Sequence, residues 1–315
     1  MNSFQIALNA VAPMFCMLAL GYYLRHSGFL AESALQQMNK LCFKVFLPVN
    51  VYYNIYKVDL AEVFNARLLL YAIACQFLIL GLSLLAAILV EKEKKRRGAL
   101  AHSIYHINFV IFGTLIGTAL CGEGNIGSIM LLIAVIVPLQ NVLSVVLLEY
   151  YREREGSGVD WKETLKSVVT NPYVISMVLG FGTQALRIHY PEYIGNVFRD
   201  LGRCGTPVAL LAMGGLFNFG SVKSNLRTIA AGVVTRLVIV PAILLAITIA
   251  MGFRGNEFIA LMCIFFAPCA TSCFNLATQM DSDGDLTSQL IVFTSIGSLL
   301  TIFLWIWGLS SMGMF

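Results

Sequence analysis

The chain reads as an all-α integral membrane protein of ten transmembrane helices, built as two inverted five-helix repeats. Three observations carry that reading. The 315 residues are 58% hydrophobic and only 12% charged, with a mean hydropathy of +0.79, whereas soluble globular chains run about 45–50% apolar and about 25% charged. Eight windows contain no Asp, Glu, Lys or Arg, and each approaches or exceeds the roughly 20 residues that a bilayer-spanning helix needs. Finally, Pro13 and Pro172 are 159 residues apart, and so are Pro48 and Pro207.

The windows give the elements in order. Span 1 is 4–24, span 3 is 68–90, span 4 is 98–122, span 5 is 124–148 and span 6 is 167–186. Span 7 is 204–222, span 9 is 258–280 and span 10 is 286–315. Span 2 (38–57) carries Lys40 and Lys44, and span 8 (227–252) carries Arg236. Span 1 lacks the basic leader of a secretory signal and holds Pro13 within its apolar stretch, so it is expected to be a retained helix. Aliphatic runs with Gly and Pro, without ten-residue alternation, argue against a β-barrel.

Orientation follows from the basic run 91–97. With that run in the cytoplasm, loops on its side hold thirteen basic residues: Arg25, Lys40, the five of the run, Arg152, Arg154, Lys162, Lys166, Lys223 and Arg227. The opposite side holds six: Lys57, Arg67, Arg187, Arg199, Arg203 and Arg254. The positive-inside rule then places both termini outside the cell membrane. The 159-residue offset also aligns Leu20-Gly21 with Leu179-Gly180 and Val49 with Val208, so spans 1–5 map onto spans 6–10. Five is odd, so the second copy (156–315) must insert upside down relative to the first (1–155). Carriers of this architecture bind substrate at mid-depth on the repeat interface.

Span 9 raises the sharpest question, because "FFAPCATSCFNLATQM" puts Pro268, Thr271, Ser272 and Asn275 at mid-depth. Proline removes a backbone donor and clashes with the preceding turn, so a broken helix is expected there. The offset carries Pro268 to Phe109 in span 4, beside Asn108, with Gly113 and Thr114 at equivalent depth. Two half-helix N-termini facing one point would suit an anion. Arg236, halfway along span 8, must face protein or water. It either offsets substrate charge or ties down carbonyls freed by a broken helix. Asn50 and Asn54 share a helical face and serve either interhelical hydrogen bonding or cavity lining. Gln140 and Asn141 follow Pro138, and only one of two adjacent residues can reach a central cavity.

Other features have plainer readings. His102 and His106 have metal-ligand spacing but no third ligand nearby in sequence, so they are expected to be interfacial, and no metal or cofactor is expected. "DSDGD" (281–285) lacks the remaining ligands of a calcium loop and is expected to be a turn. The eight cysteines include no C-x-x-C pair, although Cys121 and Cys204 could meet on the outer side. No span centre carries Asp or Glu, and no P-loop, H-E-x-x-H or buried aspartate pair occurs. That disfavours a paired-aspartate antiporter, an ATP-driven pump and an intramembrane protease, so no enzyme is expected.

Six segments in order resemble the auxin efflux carrier family, which includes plant auxin exporters and bacterial malonate-type carriers. They are "KLCFKVFLPVNVYYNIYKVDL" (span 2), "ALCGEGNIG" (after span 4), "NPYVISMVLGF" (span 6), "TPVALLAMGGLF" (span 7), "RLVIVPAI" (span 8) and "APCATSCFNLATQMDSDGDL" (span 9). The resemblance covers essentially the whole chain. It implies crossed discontinuous spans 4 and 9, a fold like that of bile-acid symporters and sodium–proton antiporters, and transport of carboxylates or related organic anions. It also implies binding positions at Asn108, Gln140 and Pro268 with its neighbours. Where family members often carry a proline in span 4, this chain reads "FGTLIG", which softens the expected break.

The function expected is therefore a secondary or potential-driven organic-anion carrier, with Asn108, Gly113, Thr271 and Ser272 contacting the anion. The alternatives are a symporter coupled to Na+ or H+, with Thr271, Ser272 and Asn275 caging the cation, and a non-transporting receptor or scaffold. The partners expected are a small organic anion, membrane lipid, the coupling ion of the symporter reading and a second copy in a homodimer; nucleic acid is not among them.

Overall fold

The computed structural model of the chain describes residues 3–57, 64–122, 125–152, 165–166 and 168–314. Arg154, Lys162 and Glu123, used above for orientation and family resemblance, lie outside the described residues. Every named element among the described residues is helical, and the only β feature is an isolated antiparallel bridge between Ile107 and Cys269.

Helix α1 (Ser3–His26) runs through Pro13. Span 2 resolves into α2 (Glu32–Leu41), a π turn (Cys42–Phe46) and α3 (Leu47–Tyr56). Pro48 has no amide for the carbonyl four residues back, and a wider turn, with Leu47 N bonded to Cys42 O, carries the ladder across. Next come α4 (Ala66–Val90), α5 (Lys94–Tyr105), α6 (Phe109–Cys121) and α7 (Gly127–Tyr151). They are followed by α8 (Pro172–Ala185) and α9 (Glu192–Leu216). Span 8 repeats the device ahead of Pro241: α10 (Val222–Val234), a π turn (Thr235–Ile239) in which Val240 N bonds Thr235 O, and α11 (Val240–Ala250). The chain closes with α12 (Gly255–Phe266), α13 (Ser272–Gln279) and α14 (Gly284–Ser311).

Four of these are long and apolar enough to cross a membrane: α4, α7, the continuous α10–α11 rod and α14. Several starts carry the expected signals. Asn65 accepts from Leu68 N, Asn171 from Tyr173 N ahead of Pro172, and Asp283 from Leu286 N. Span 7 differs from the expectation of 204–222: the helix starts at Glu192 and ends at Leu216. Its first turns carry Glu192, Arg199, Asp200 and Arg203, so a search for charge-free windows misses a helix whose early turns carry charge.

The helices pack as two groups. One joins α1, α2, α3, α8 and α9; the other joins α4 to α7 with α10 to α14 and holds most of the buried core. Within the first, α1 and α9 are in backbone contact. A Cβ on Gly21 would fall 2.1 Å from the Leu211 carbonyl oxygen, and one on Gly214 would fall 2.1 Å from that of Leu18. Only glycine permits this approach.

At one end of the second group Arg96 ties three elements together. It donates to Glu91 at 3.0 and 3.1 Å, to Asn225 Oδ1 at 3.0 Å and to Asp283 at 3.4 Å. The Thr228 hydroxyl also donates to Glu91. Burial works to raise the Glu91 carboxyl, but the hydrogen bonds from Arg96 and Thr228 outweigh it and hold the group below its ordinary range. The "DSDGD" segment is a turn. Asp281, at a left-handed φ of 57°, pairs with Arg152, Asp283 caps α14, and Asp285 accepts from Asn218 at 2.9 Å.

Candidate functional site

Two interruptions meet at the centre of the second group. The chain leaves helical geometry between α5 and α6 (106–108) and again between α12 and α13 (267–271). The two segments cross antiparallel: Asn108 N donates to Pro268 O at 2.9 Å, and Ala270 N to His106 O at 3.0 Å. Each break thereby satisfies backbone groups that the other exposes, which in hydrocarbon would cost several kcal/mol apiece.

The rest of the α12 end is closed by Arg236. Its Nε donates to Ala267 O at 2.8 Å, and its Nη2 donates to Ile264 O at 2.7 Å and Phe265 O at 2.9 Å. A cation on these carbonyls also complements the negative end of the α12 dipole. Further along the same segment, Cys269 N donates to the Thr294 hydroxyl of α14 at 3.2 Å.

Beside the crossing lies a cavity of about 500 Å³ between the two helix groups. Its walls come from Pro13, Met14, Cys16 and Met17 of α1, Thr206, Pro207 and Leu210 of α9, Asn108 and Ile111 at the start of α6, and Thr271 at the start of α13. Both helix starts are uncapped by a side chain: neither Asn108 nor Thr271 makes a cap hydrogen bond. Two sets of first-turn N–H groups, with their partial positive charge, thus border a cavity whose other walls are mostly apolar.

Of the ten residues expected at the site, Asn108 and Thr271 line this cavity, with Pro268 and Ser272 adjacent to them on the crossing strand and first turn. The others lie elsewhere. Gly113 packs on Phe109, where a Cβ would come within 2.7 Å of the ring. The Thr114 hydroxyl bonds back to the carbonyls of Val110 and Ile111. Gln140 is fully buried and donates to Gln76 Oε1 at 2.9 Å, linking α7 to α4. Asn50 donates to Gly202 O at 3.2 Å and accepts from Asn54, so this pair joins α3 to α9. Asn275 is fully buried on α13, and neither its Oδ1 nor its Nδ2 has a hydrogen-bond partner. Arg236 stands behind the crossing and holds carbonyls; of its two expected roles, the geometry has it tying down the broken helix.

Other expectations need correction. His102 and His106 are both buried within the protein, as are Cys269 and Cys273. The third ligand type that sequence spacing did not supply arrives through the fold, because the ligating atoms of His102, His106 and Cys273 lie within 4.8 Å of one another. Cys121 and Cys204 are both free. Sequence reading did not assign Pro13, Pro207 and Thr206 to the site. The two prolines were visible as repeat markers, and each deprives the carbonyl four residues earlier of its helical amide.

Comparison with known proteins agrees with the transporter reading. A family described as Membrane transport protein matches residues 6–306. An "Uncharacterized transporter" of Methanothermobacter thermautotrophicus is 24% identical, with 96% of this chain and 98% of the relative covered. A second uncharacterized transporter, from Methanocaldococcus jannaschii, is 23% identical over 96% of this chain and 99% of its own length. The chain belongs to the Membrane transport protein family, the auxin efflux carrier-type family that its motifs resemble, and it is a multi-pass membrane protein.

Proposed function

We propose that this family member carries organic anions across the cell membrane by alternating access. Ten spanning helices would form two inverted five-helix repeats (1–155 and 156–315), with both termini outside. The single observation that carries this reading is the meeting of two uncapped helix N-termini, at Asn108 and Thr271, on one cavity between two helix groups. Such termini favour a carboxylate or similar anion. The apolar remainder, with Met14, Met17, Ile111 and Leu210, favours an acid with an apolar body, as in an auxin-like acid, over the compact dicarboxylates malonate and malate. Rocking of the group of α1, α2, α3, α8 and α9 against the crossing would expose the cavity to either side in turn. No carboxylate lines the cavity to carry protons, so the membrane potential alone would supply about 2.3 kcal/mol per charge per 100 mV for anion exit.

Thermal stabilisation of the purified protein by malonate, malate, indole-3-acetate and a bile acid, each with and without sodium, tests this. An acid present at about 100 times its dissociation constant adds about 2.7 kcal/mol. The expected result is a shift largest for the amphipathic acids, reduced by Asn108→Ala and by Thr271→Ala, and matched by flux of the same acid in proteoliposomes. Binding without flux would mean a receptor. No shift with any acid would remove the anion assignment.

A sodium-coupled reading has one observation in its favour: the unpartnered, fully buried Asn275 amide next to the crossing on α13. Its mark would be a shift that requires sodium and is lost in Asn275→Ala.

A further inference from the structure

We propose that His102, His106 and Cys273 form a buried binding site for monovalent copper that ties α5 to α13 across the crossing. The site is separate from the anion cavity, which none of the three residues lines. His102 and His106 are one helical turn apart and present the same face of the chain. Nε2 of His102 lies 3.4 Å from Nδ1 of His106. Cys273, in the first turn of α13, is brought to them because Ala270 N bonds His106 O; the Cys273 thiol itself donates to that carbonyl at 3.5 Å. The relative exposures are 0% for His102, 3% for His106 and 0% for Cys273.

Geometry and charge select the ion. Metal–nitrogen and metal–sulfur bonds of about 2.0–2.3 Å put neighbouring ligand atoms about 3.3–3.9 Å apart. The two imidazoles already meet that spacing. The thiol, within 4.8 Å, needs a shift of about 1 Å.

Two neutral imidazoles and one thiolate around a monovalent ion sum to zero charge, which a bilayer interior tolerates. A divalent ion on the same three ligands would leave a net positive charge beside a crossing that already holds buried Arg236. A soft thiolate with imidazoles suits Cu+ in particular. On binding, Cys273 loses its proton to solvent, and the metal takes the place on His106 Nδ1 that the Ser144 hydroxyl occupies at 3.1 Å.

The test uses the detergent-purified full chain loaded with Cu+ under ascorbate and challenged with a chromophoric Cu+ chelator. About one copper per chain should resist the chelator, and X-ray absorption should show one sulfur and two nitrogen neighbours. Cys273→Ser and His102→Gln should each weaken retention at least tenfold while keeping the thermal unfolding transition. Cys16→Ser and Cys204→Ser, which remove the two exposed thiols, should leave retention unchanged.

Retention in Cys273→Ser equal to the unaltered chain, or loss only with the exposed thiols, would overturn the proposal. So would preferential retention of Zn2+ that also required Cys269, since that result describes a divalent four-ligand site. Anion-induced stabilisation of Cys273→Ser keeps the two readings separable, because the anion reading can fail while copper binding holds, and the reverse.

Discussion

The two helix interruptions reach the same geometry by different means. The α12–α13 break carries its own support. Pro268 withholds a helical amide, Arg236 occupies three carbonyls at the end of α12, and the Thr294 hydroxyl holds Cys269 N. The α5–α6 break has no proline and no charged partner. Its His106 carbonyl is held by Ala270 N and the Cys273 thiol, and its Asn108 amide by Pro268 O. The second break is therefore self-supported, and the first is templated on it. A helix can be interrupted in a membrane without a breaker residue when another interrupted helix supplies its backbone partners.

The largest expected effect tests the self-support directly. Arg236→Met removes the cation and leaves the carbonyls of Ile264, Phe265 and Ala267 without their donors, a loss of roughly 3 kcal/mol or more. Thermal or denaturant unfolding in detergent would measure it. A loss no greater than that of a lipid-facing substitution would break the comparison, because the second break would then need the first as much as the reverse.

Thr294→Val, which keeps the shape and deletes the acceptor for Cys269 N, should cost about 1 kcal/mol. Because Cys269 sits on the crossing, it should also speed amide exchange at Ala270 and Asn108 together. Exchange at only one of the two positions would mean that the breaks open independently.

Pro268→Ala sharpens the point from the other side. With Arg236, Thr294 and the Asn108 bond in place, the break should persist and stability should change by less than about 1 kcal/mol. Re-formation of a continuous helix, visible as slowed amide exchange through 267–271, would show that proline is needed after all.

The smallest effect serves as a control away from both breaks. Glu91 is held below its ordinary value of 4.5, so its contribution is present above that value and fades as the pH falls through its lowered folded value. Unfolding temperature should drop on acidification toward pH 3, and Glu91→Gln should flatten that part of the profile while leaving anion binding unchanged.

Much of this was legible in the linear chain. Charge-free windows located most of the apolar helices, because a bilayer selects for runs without ionised groups. Pro268 among hydroxyls and amides marked one break. Asn108 and Thr271 were identifiable as polar groups beside helix starts. The exact extent of α9 was not, because its early turns carry charge. The other break was placed by the 159-residue offset, not by any local signal at 106–108.

What required the third dimension was who meets whom. Arg236 lies 31 residues from Ala267 and Cys273 lies 167 from His106, and no periodicity links them. Gly113, Thr114, Gln140 and Asn50 are polar or small at suitable depth, yet each finds a partner within or between helices away from the cavity. Hydrophobic patterning and proline placement act within one helix and can be read from neighbours in sequence. The partners of a freed carbonyl, and the ligands around a buried thiol, are set by helix packing, and packing fixes them only once all the helices are assembled.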